Sequence, residues 1–170
     1  MPSRTDEDAT IRAATIADAA AIAEIYNHYI TKTVVSFEEE AVSPSEIARR
    51  MESVAAASLP WLIAEVAGQV AGYSYASKWN GRCVYKFSAE ITVYLSPARV
   101  GQGLGSKLYG RLFEILRERG LHAVIGGIAL PNAASVALHE KLGLERVALF
   151  KEVGFKFDRW IDVGYWQRTL

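Results

Sequence analysis

Apolar residues recur at helical spacing in four stretches of the chain and at strand spacing between them. From Ala17 to Ile30, the residues Ile22, Ile25, Tyr26 and Tyr29 fall at i, i+3, i+4 and i+7, which is one face of a helix. The segment SPSE announces a second helix, with Ser43 as its N-cap, Pro44 at the first helical position and Glu46 closing a capping box. Ile47, Met51 and Val54 supply its apolar stripe. Leu104, Leu108, Leu112 and Leu116 recur every four residues in a third helix. The fourth, NAASVALHEKLG, has Asn132 as its cap and Gly143 as its stop. Between them, TIRAAT reads as a short first strand, and WLIAEVAGQVAGYSYASKW as a hairpin turning at Ala67 to Gln69. A long strand is expected from about Val84 to Leu95, and HAVIGGIAL has the apolar run of a buried strand. The remaining C-terminal residues read as two or three strands with a turn near Gly154. This interleaving predicts an α/β (mixed α+β) fold, one domain over residues 11–170 with a central mixed sheet flanked by helices. Residues 1–10 are polar and acidic and read as a mobile tail.

Composition narrows the function more than the fold. The chain has 170 residues, 51% hydrophobic and 22% charged, as expected of a domain with a proper core. Lys plus Arg and Asp plus Glu each total 19, and that balance argues against a nucleic-acid partner. The single cysteine, Cys83, excludes an internal disulfide framework and offers no metal-type spacing. The tail lacks the apolar core of a signal peptide, and no apolar run reaches the ~20 residues needed to cross a bilayer. A cytoplasmic protein with no membrane partner and no metal is the expectation.

The stretch ARVGQGLGSKLYGRLFEIL carries the first chemical signal. Gly101, Gly103 and Gly105 alternate directly before a helix. The first N–H groups of a helix have no partner within it, and glycines ahead of them let a ligand approach the bare backbone. The helix dipole adds about half a positive charge there, so the arrangement suits a phosphate. Neither the dinucleotide fingerprint nor the G-x-x-x-x-G-K-[ST] loop fits these letters. The spacing alone leaves either an anion site or a tight turn. Further on, Asn132, Ser135 and His139 lie within about 60° of one another on the fourth helix, a polar stripe beside the apolar Ala134, Leu138 and Leu142.

RVGQGLGSKLY resembles the acetyl-coenzyme A diphosphate loop of the GNAT N-acetyltransferases, [QR]-x-x-G-x-[GA]. Gly103 and Gly105 match its glycines, and Val100 stands where Gln or Arg is usual, with Arg99 one place earlier. Together with IYNHYI, SAEITVYL, ALPNAASVALHEKLG and GFKFDRWIDVGYWQ, in that order from about Ile11 to Gln167, the chain is similar to the phosphinothricin and methionine sulfoximine N-acetyltransferases. The resemblance implies acetyl-CoA as cosubstrate and a small amino-acid-like acceptor. Glu90, an acid in a β-favouring run, matches the general base. Val93, Tyr94 and Leu95 would run along the pantetheine arm, with the Val93 N–H holding the oxyanion. Gly101, Gln102, Gly103, Leu104, Gly105 and Ser106 would hold the diphosphate, and Asn132 and Ser135 would edge the cofactor. His139, in place of a tyrosine common in the superfamily, either donates a proton or hydrogen bond to the departing thiolate or only fills space.

Acceptor recognition is expected from two segments, WNGRCVYKF and TVVSFEE. Arg82 offers a bidentate partner for a carboxylate and Lys86 a point charge. Phe37, Trp79 and Tyr85 would wall an apolar pocket, with Asn80, Gly81 and Thr92 beside it. The bland alternative is a solvated loop next to core aromatics. A homodimer is implied by the relatives, with Trp160, Tyr165 and Trp166 as either its surface or monomer core. Rival functions are a GNAT enzyme for a polyamine, aminoglycoside or peptide N-terminus, which Arg82 and Lys86 disfavour, and a non-catalytic acetyl-CoA-binding module.

Overall fold

Residues 9–170 are described by a computed structural model. Seven strands form one sheet: β1 (Thr10–Ala13), β2 (Trp61–Val66), β3 (Gln69–Lys78), β4 (Ser88–Leu95), β5 (Ala123–Leu130), β6 (Glu145–Lys156) and β7 (Arg159–Thr169). Their order across the sheet is β1-β2-β3-β4-β5-β7-β6, with only β4 and β5 parallel. The helices are α1 (Ala19–Lys32), α2 (Pro44–Ala56), α3 (Leu104–Glu118) and α4 (Ala133–Lys141). Eight of the ten residues read as a tail lie outside the described residues, and Thr10 already belongs to β1.

Strand alternation divides the core into two faces. Trp61, Ile63 and Tyr73 pack with Ile22, Ile25, Ile47 and Met51 of α1 and α2. Leu62, Ala64, Ala76, Ala89 and Ile91 pack on the opposite face with Leu108, Leu112 and Leu116 of α3. The three leucines are fully buried, each stabilising the fold by about 1.5–3 kcal/mol relative to exposure. The leucine repeat thus aims α3 across the sheet.

Three local expectations differ from the structure. β4 begins at Ser88 rather than near Val84, because residues 83–85 form a 3-10 turn and the whole stretch 80–87 is exposed. Val84 and Tyr85 favour strands by type, but among the described residues no strand pairs with them; the first backbone contact with β5 is at the Phe87 carbonyl, which accepts from His122 and Ala123. The C-terminal segment is two strands turning at Phe157 and Asp158, both with positive φ, and Gly154 instead sits in a register break opposite Ile161. At the start of α2, Ser43 caps the Glu46 N–H at 3.1 Å, but the Glu46 carboxylate engages Arg49 and Arg50 rather than turning back.

Candidate active site

The parallel pairing of β4 and β5 stops after Glu90 and Ile125. Beyond that point the strands part, while β4 stays paired with β3 as far as Leu95. A cavity of about 660 Å³ opens in the gap, lined by both strands, α1, α4 and the start of α3. One end is the glycine segment, with Val100, Gly101, Gly103, Gly105 and Ser106. The other holds Phe37, Tyr75, Ser77 and Thr92, and Glu90 also lines the wall.

The glycine end is built from backbone. Gly101 and Gly103 have φ of +80° and +78°, a region L side chains rarely adopt, and no atom lies within 4 Å of where either Cβ would stand. Gly103 is the N-cap of α3, and the first intrahelical donor is Lys107, bonded to the Gly103 carbonyl at 3.2 Å. The amides of residues 104–106 therefore have no helical carbonyl to meet. Gly105 plays a packing part: a Cβ there would lie 3.0 Å from Leu138 of α4. Leu104 is buried beneath the loop, and the exposed Gln102 bonds the Ala98 carbonyl at 3.2 Å, so neither side chain lines the cavity.

Glu90 lies in the parting of the strands, opposite Ser77 on β3. Burial raises its pKa above the ordinary carboxylate value, and no hydrogen bond or ion pair holds it among the described residues. Alternation along β4 puts Glu90, Thr92 and Tyr94 on the α1/α2 side and Ile91, Val93 and Leu95 on the α3 side. Val93, Tyr94 and Leu95 all line the cavity. Tyr29 donates to the Leu95 carbonyl at 2.6 Å, which anchors the free end of β4 to α1.

Leu138 and Leu142 pack against the core as their apolar stripe predicts, but the polar stripe of α4 is turned inward as well, and Ala134 is not part of the core. His139, 2% exposed, is the helix's one fully buried side chain, while Ala134 is exposed at the cavity mouth. Its Nδ1 lies 2.7 Å from the Ser135 carbonyl, which can only accept, so Nδ1 carries the proton. Burial lowers the ring's pKa, leaving it neutral at pH 7. Nε2 is then an unprotonated acceptor, buried without a partner above Gly126, where a Cβ would approach within 2.5 Å. In this state the ring's one proton is spent on the Ser135 carbonyl, and Nε2 is left as an acceptor. Asn132 caps Ser135 at 3.1 Å, as its position predicts, and both line the cavity.

The acceptor segments divide. Phe37 and Thr92 reach the cavity, whereas Trp79, Asn80, Gly81, Arg82, Tyr85 and Lys86 do not line it. Trp79 instead meets Tyr165 edge-on at 5.6 Å. Tyr26, Tyr29, Tyr75 and Tyr109 line the wall in their stead, and sequence reasoning missed them as site residues. Tyr26 and Tyr29 sit in an apolar helical stripe, where a tyrosine reads as core. Their hydroxyls were the signal, because a buried tyrosine needs a polar partner. Tyr26 donates to Glu38, which Arg50 grips through both oxygens at 2.7 and 2.9 Å.

A parted strand pair beside a backbone anion cradle and an unpartnered glutamate is a specific arrangement, and comparison with known proteins agrees with it. Residues 11–164 match the acetyltransferase (GNAT) domain family. The chain belongs to the GNAT acetyltransferases. It is 43% identical over 160 residues to a phosphinothricin N-acetyltransferase of Streptomyces viridochromogenes, covering 94% of this chain and 87% of that protein. It is 38% identical to an L-methionine sulfoximine/L-methionine sulfone acetyltransferase of Salmonella typhimurium, covering 95% and 94%. A GNAT phosphinothricin acetyltransferase from Sinorhizobium meliloti, solved with acetyl-CoA, superposes with a TM-score of 0.93 at 37% identity, covering 95% of this chain and 88% of that one.

The GNAT cradle passes a direct test of fit for a coenzyme A diphosphate. The space a side chain would fill at Gly101 and Gly103 is open, and the unpaired amides of residues 104–106 follow it. Val100 lines the cavity in place of the usual Gln or Arg, so any donors at this position would come from the backbone. Among the described residues no group of His, Cys, Asp and Glu is placed to hold a metal ion, and no helix is long and apolar enough to cross a membrane.

Proposed function

We propose that this GNAT enzyme transfers acetyl from acetyl-CoA to the α-amine of a small amino-acid-like acceptor of the phosphinothricin, methionine sulfoximine or methionine sulfone type. The observation that carries the reading is the meeting, in one cavity, of the bare α3 terminus with an unpartnered, half-buried Glu90. Acetyl-CoA brings an activated thioester and a diphosphate. The amides of residues 101–106 bind that diphosphate, and the free end of β4 aligns the pantetheine arm beside Val93, Tyr94 and Leu95. The Val93 N–H meets the thioester oxygen as it gains negative charge, and a fixed donor at that position is worth about 10²–10³ in rate.

An amine is mostly protonated at neutral pH and cannot attack until it loses that proton. Glu90 takes the proton, directly or through one water; the amine then attacks the thioester carbon without an acyl-enzyme, and as the C–S bond breaks coenzyme A leaves as the thiol, carrying off the second amine proton. The raised pKa of Glu90 brings the base closer to its working pH. Phe37, Tyr75 and Thr92 form the acceptor end of the cavity. His139 supports the floor: its hydrogen bond to Ser135 within α4 sets the ring's orientation, and the ring packs above Gly126 of β5.

The protein is proposed to work as a homodimer. β6 is the edge of the sheet and exposes Val147, Phe150, Val153 and Phe155, and Trp160 of β7 is 63% exposed. A bare edge with apolar residues of this size marks an interaction surface. Trp166, by contrast, is core. Arg82 and Lys86 lie on the exposed loop before β4, so any carboxylate they recognise approaches from outside the single-chain cavity.

Release of coenzyme A thiol against a panel of amines tests this reading. Turnover is expected with phosphinothricin and methionine sulfone. Activity confined to spermidine, an aminoglycoside or a peptide N-terminus overturns the acceptor class.

A further inference from the structure

Lys156 is a buried cation that the chemistry above leaves unused. It is 6% exposed at the end of β6, and its Nζ donates to the backbone carbonyl of Ser36 at 3.3 Å, a contact spanning 120 residues of sequence. The ammonium also sits over the Phe157 ring, 5.3 Å from its centroid. Burying a lysine costs free energy unless its charge is answered, and burial indeed lowers the Lys156 pKa. The charges of Glu39 and Glu38 act the other way and raise it, so the ammonium is drawn to the segment that carries both carboxylates and the Ser36 carbonyl.

That segment, residues 33–43 between α1 and α2, carries Thr33, Val35 and Phe37 into the acceptor end of the cavity. Several bonds fix it on the far side of Phe37. Arg50 grips Glu38, Tyr26 donates to the same carboxylate, and the Asn27 side chain clamps Val42 through both its N–H and its carbonyl. On the near side, Ser36 is fully buried and its hydroxyl receives the Glu38 N–H at 3.1 Å, closing a tight turn around Phe37. The carbonyl of Ser36 has Lys156 as its partner. Phe37 itself is 60% exposed, and the residues on either side of it, Ser36 and Glu38, carry the anchoring bonds.

We propose that Lys156 is a positioning residue for acceptor specificity: through the Ser36 carbonyl, its ammonium fixes Phe37 as a wall of the acceptor end of the cavity. It acts through Phe37 and touches neither reacting atom. The C-terminal hairpin thereby reaches across to shape the pocket built by α1 and α2. The cofactor end is left alone, because none of the residues 101–106 contacts this bridge.

The inference rests on the proposed acceptor class for its kinetic test but not for its structural one. In the free protein, Lys156→Met should speed amide hydrogen exchange at residues 34–39 by about tenfold, the loss of one charge-assisted hydrogen bond, with α1 and β4 unchanged. With methionine sulfone as acceptor, the same variant should raise the acceptor KM by about tenfold and leave the KM for acetyl-CoA within about twofold. Phe37→Ala should raise the acceptor KM alone, and adding it to Lys156→Met should raise it no further. Lys156→Arg, which keeps a donor, should restore the wild-type KM to within about threefold. If Lys156→Met does not fold, Lys156→Gln, whose amide falls short of Ser36, is read the same way. Unchanged exchange at 34–39, or a parallel rise in both KM values, overturns the proposal. Lack of turnover with every amino-acid analogue in the wild type would instead strike the acceptor reading, and the exchange result would still decide the role of Lys156.

Discussion

Glu90 is ionisable, half-buried and unpartnered, and that combination has consequences for stability as well as rate. Its folded pKa is raised by burial, so the native state binds this proton more tightly than the unfolded chain does. The stabilisation this gives is fully present below the unfolded pKa and is lost as pH rises through the folded value. Glu90→Gln removes the cost of an ionised buried group. It should melt about 2 °C higher at pH 8 and show no gain near pH 3, read by calorimetry across that range. The same change should cut kcat/KM by about 10²–10³ and flatten the acid limb of its pH profile. Turnover that survives with an unaltered profile would remove Glu90 as the base. At His139 the expectation is steric. Gly126→Ala would drive a Cβ into the Nε2 and Cδ2 atoms, 2.5 and 2.8 Å away, and both belong to a ring held on the other side by Ser135. The resulting overpacking should cost about 1–3 kcal/mol in denaturant unfolding.

Among the elements, the start of α3 carries the most function with the fewest side chains. Gly103→Ala places a Cβ in open space, so no neighbour clashes, but it puts an L residue at a φ of +78°. That should cost about 1–2 kcal/mol of stability. If the cradle binds a diphosphate, the KM for acetyl-CoA should also rise about tenfold or more while the acceptor KM holds. A fall in stability with both KM values unchanged would make the loop a turn and nothing else. The bare, positive-φ backbone of this segment was readable from the letters, because glycine spacing reports backbone directly, although spacing alone did not separate an anion site from a tight turn. Ser43 and Asn132 were readable for the same reason, as local caps. Strand limits near Val84 and Gly154 were not, because β-branched and aromatic residues describe a half-buried surface without saying which neighbour supplies it. Nor could helical periodicity show that His139, rather than Ala134, faces inward. That depends on Gly126 of a different strand leaving room for the ring.

For the molecule as a whole, the parting of β4 and β5 is the organising feature, because it converts a sheet into a site. The topology supplies it: β4 stays tied to β3 to its end and β5 pairs with β7 throughout, so each strand has a firm neighbour on its outer side. The proposed homodimer rests on the exposed apolar edge at β6 and on Trp160 beside it. Trp160→Glu should therefore convert a dimer to a monomer in sedimentation at micromolar concentration. A chain that is monomeric before the substitution contradicts the proposed assembly. The lining of the cavity, in contrast, was only partly visible in sequence: Phe37 and Thr92 were singled out and line it, while Tyr75 and Tyr109 became visible only when distant segments met.

The measurement that bears most directly on the whole account is a crystal structure of the protein with acetyl-CoA bound. Its diphosphate should lie within hydrogen-bond distance of amides between residues 101 and 106, with the thioester in the β4–β5 gap on the Glu90 side. A cofactor bound with its diphosphate away from the start of α3, or with its thioester outside that gap, would contradict it.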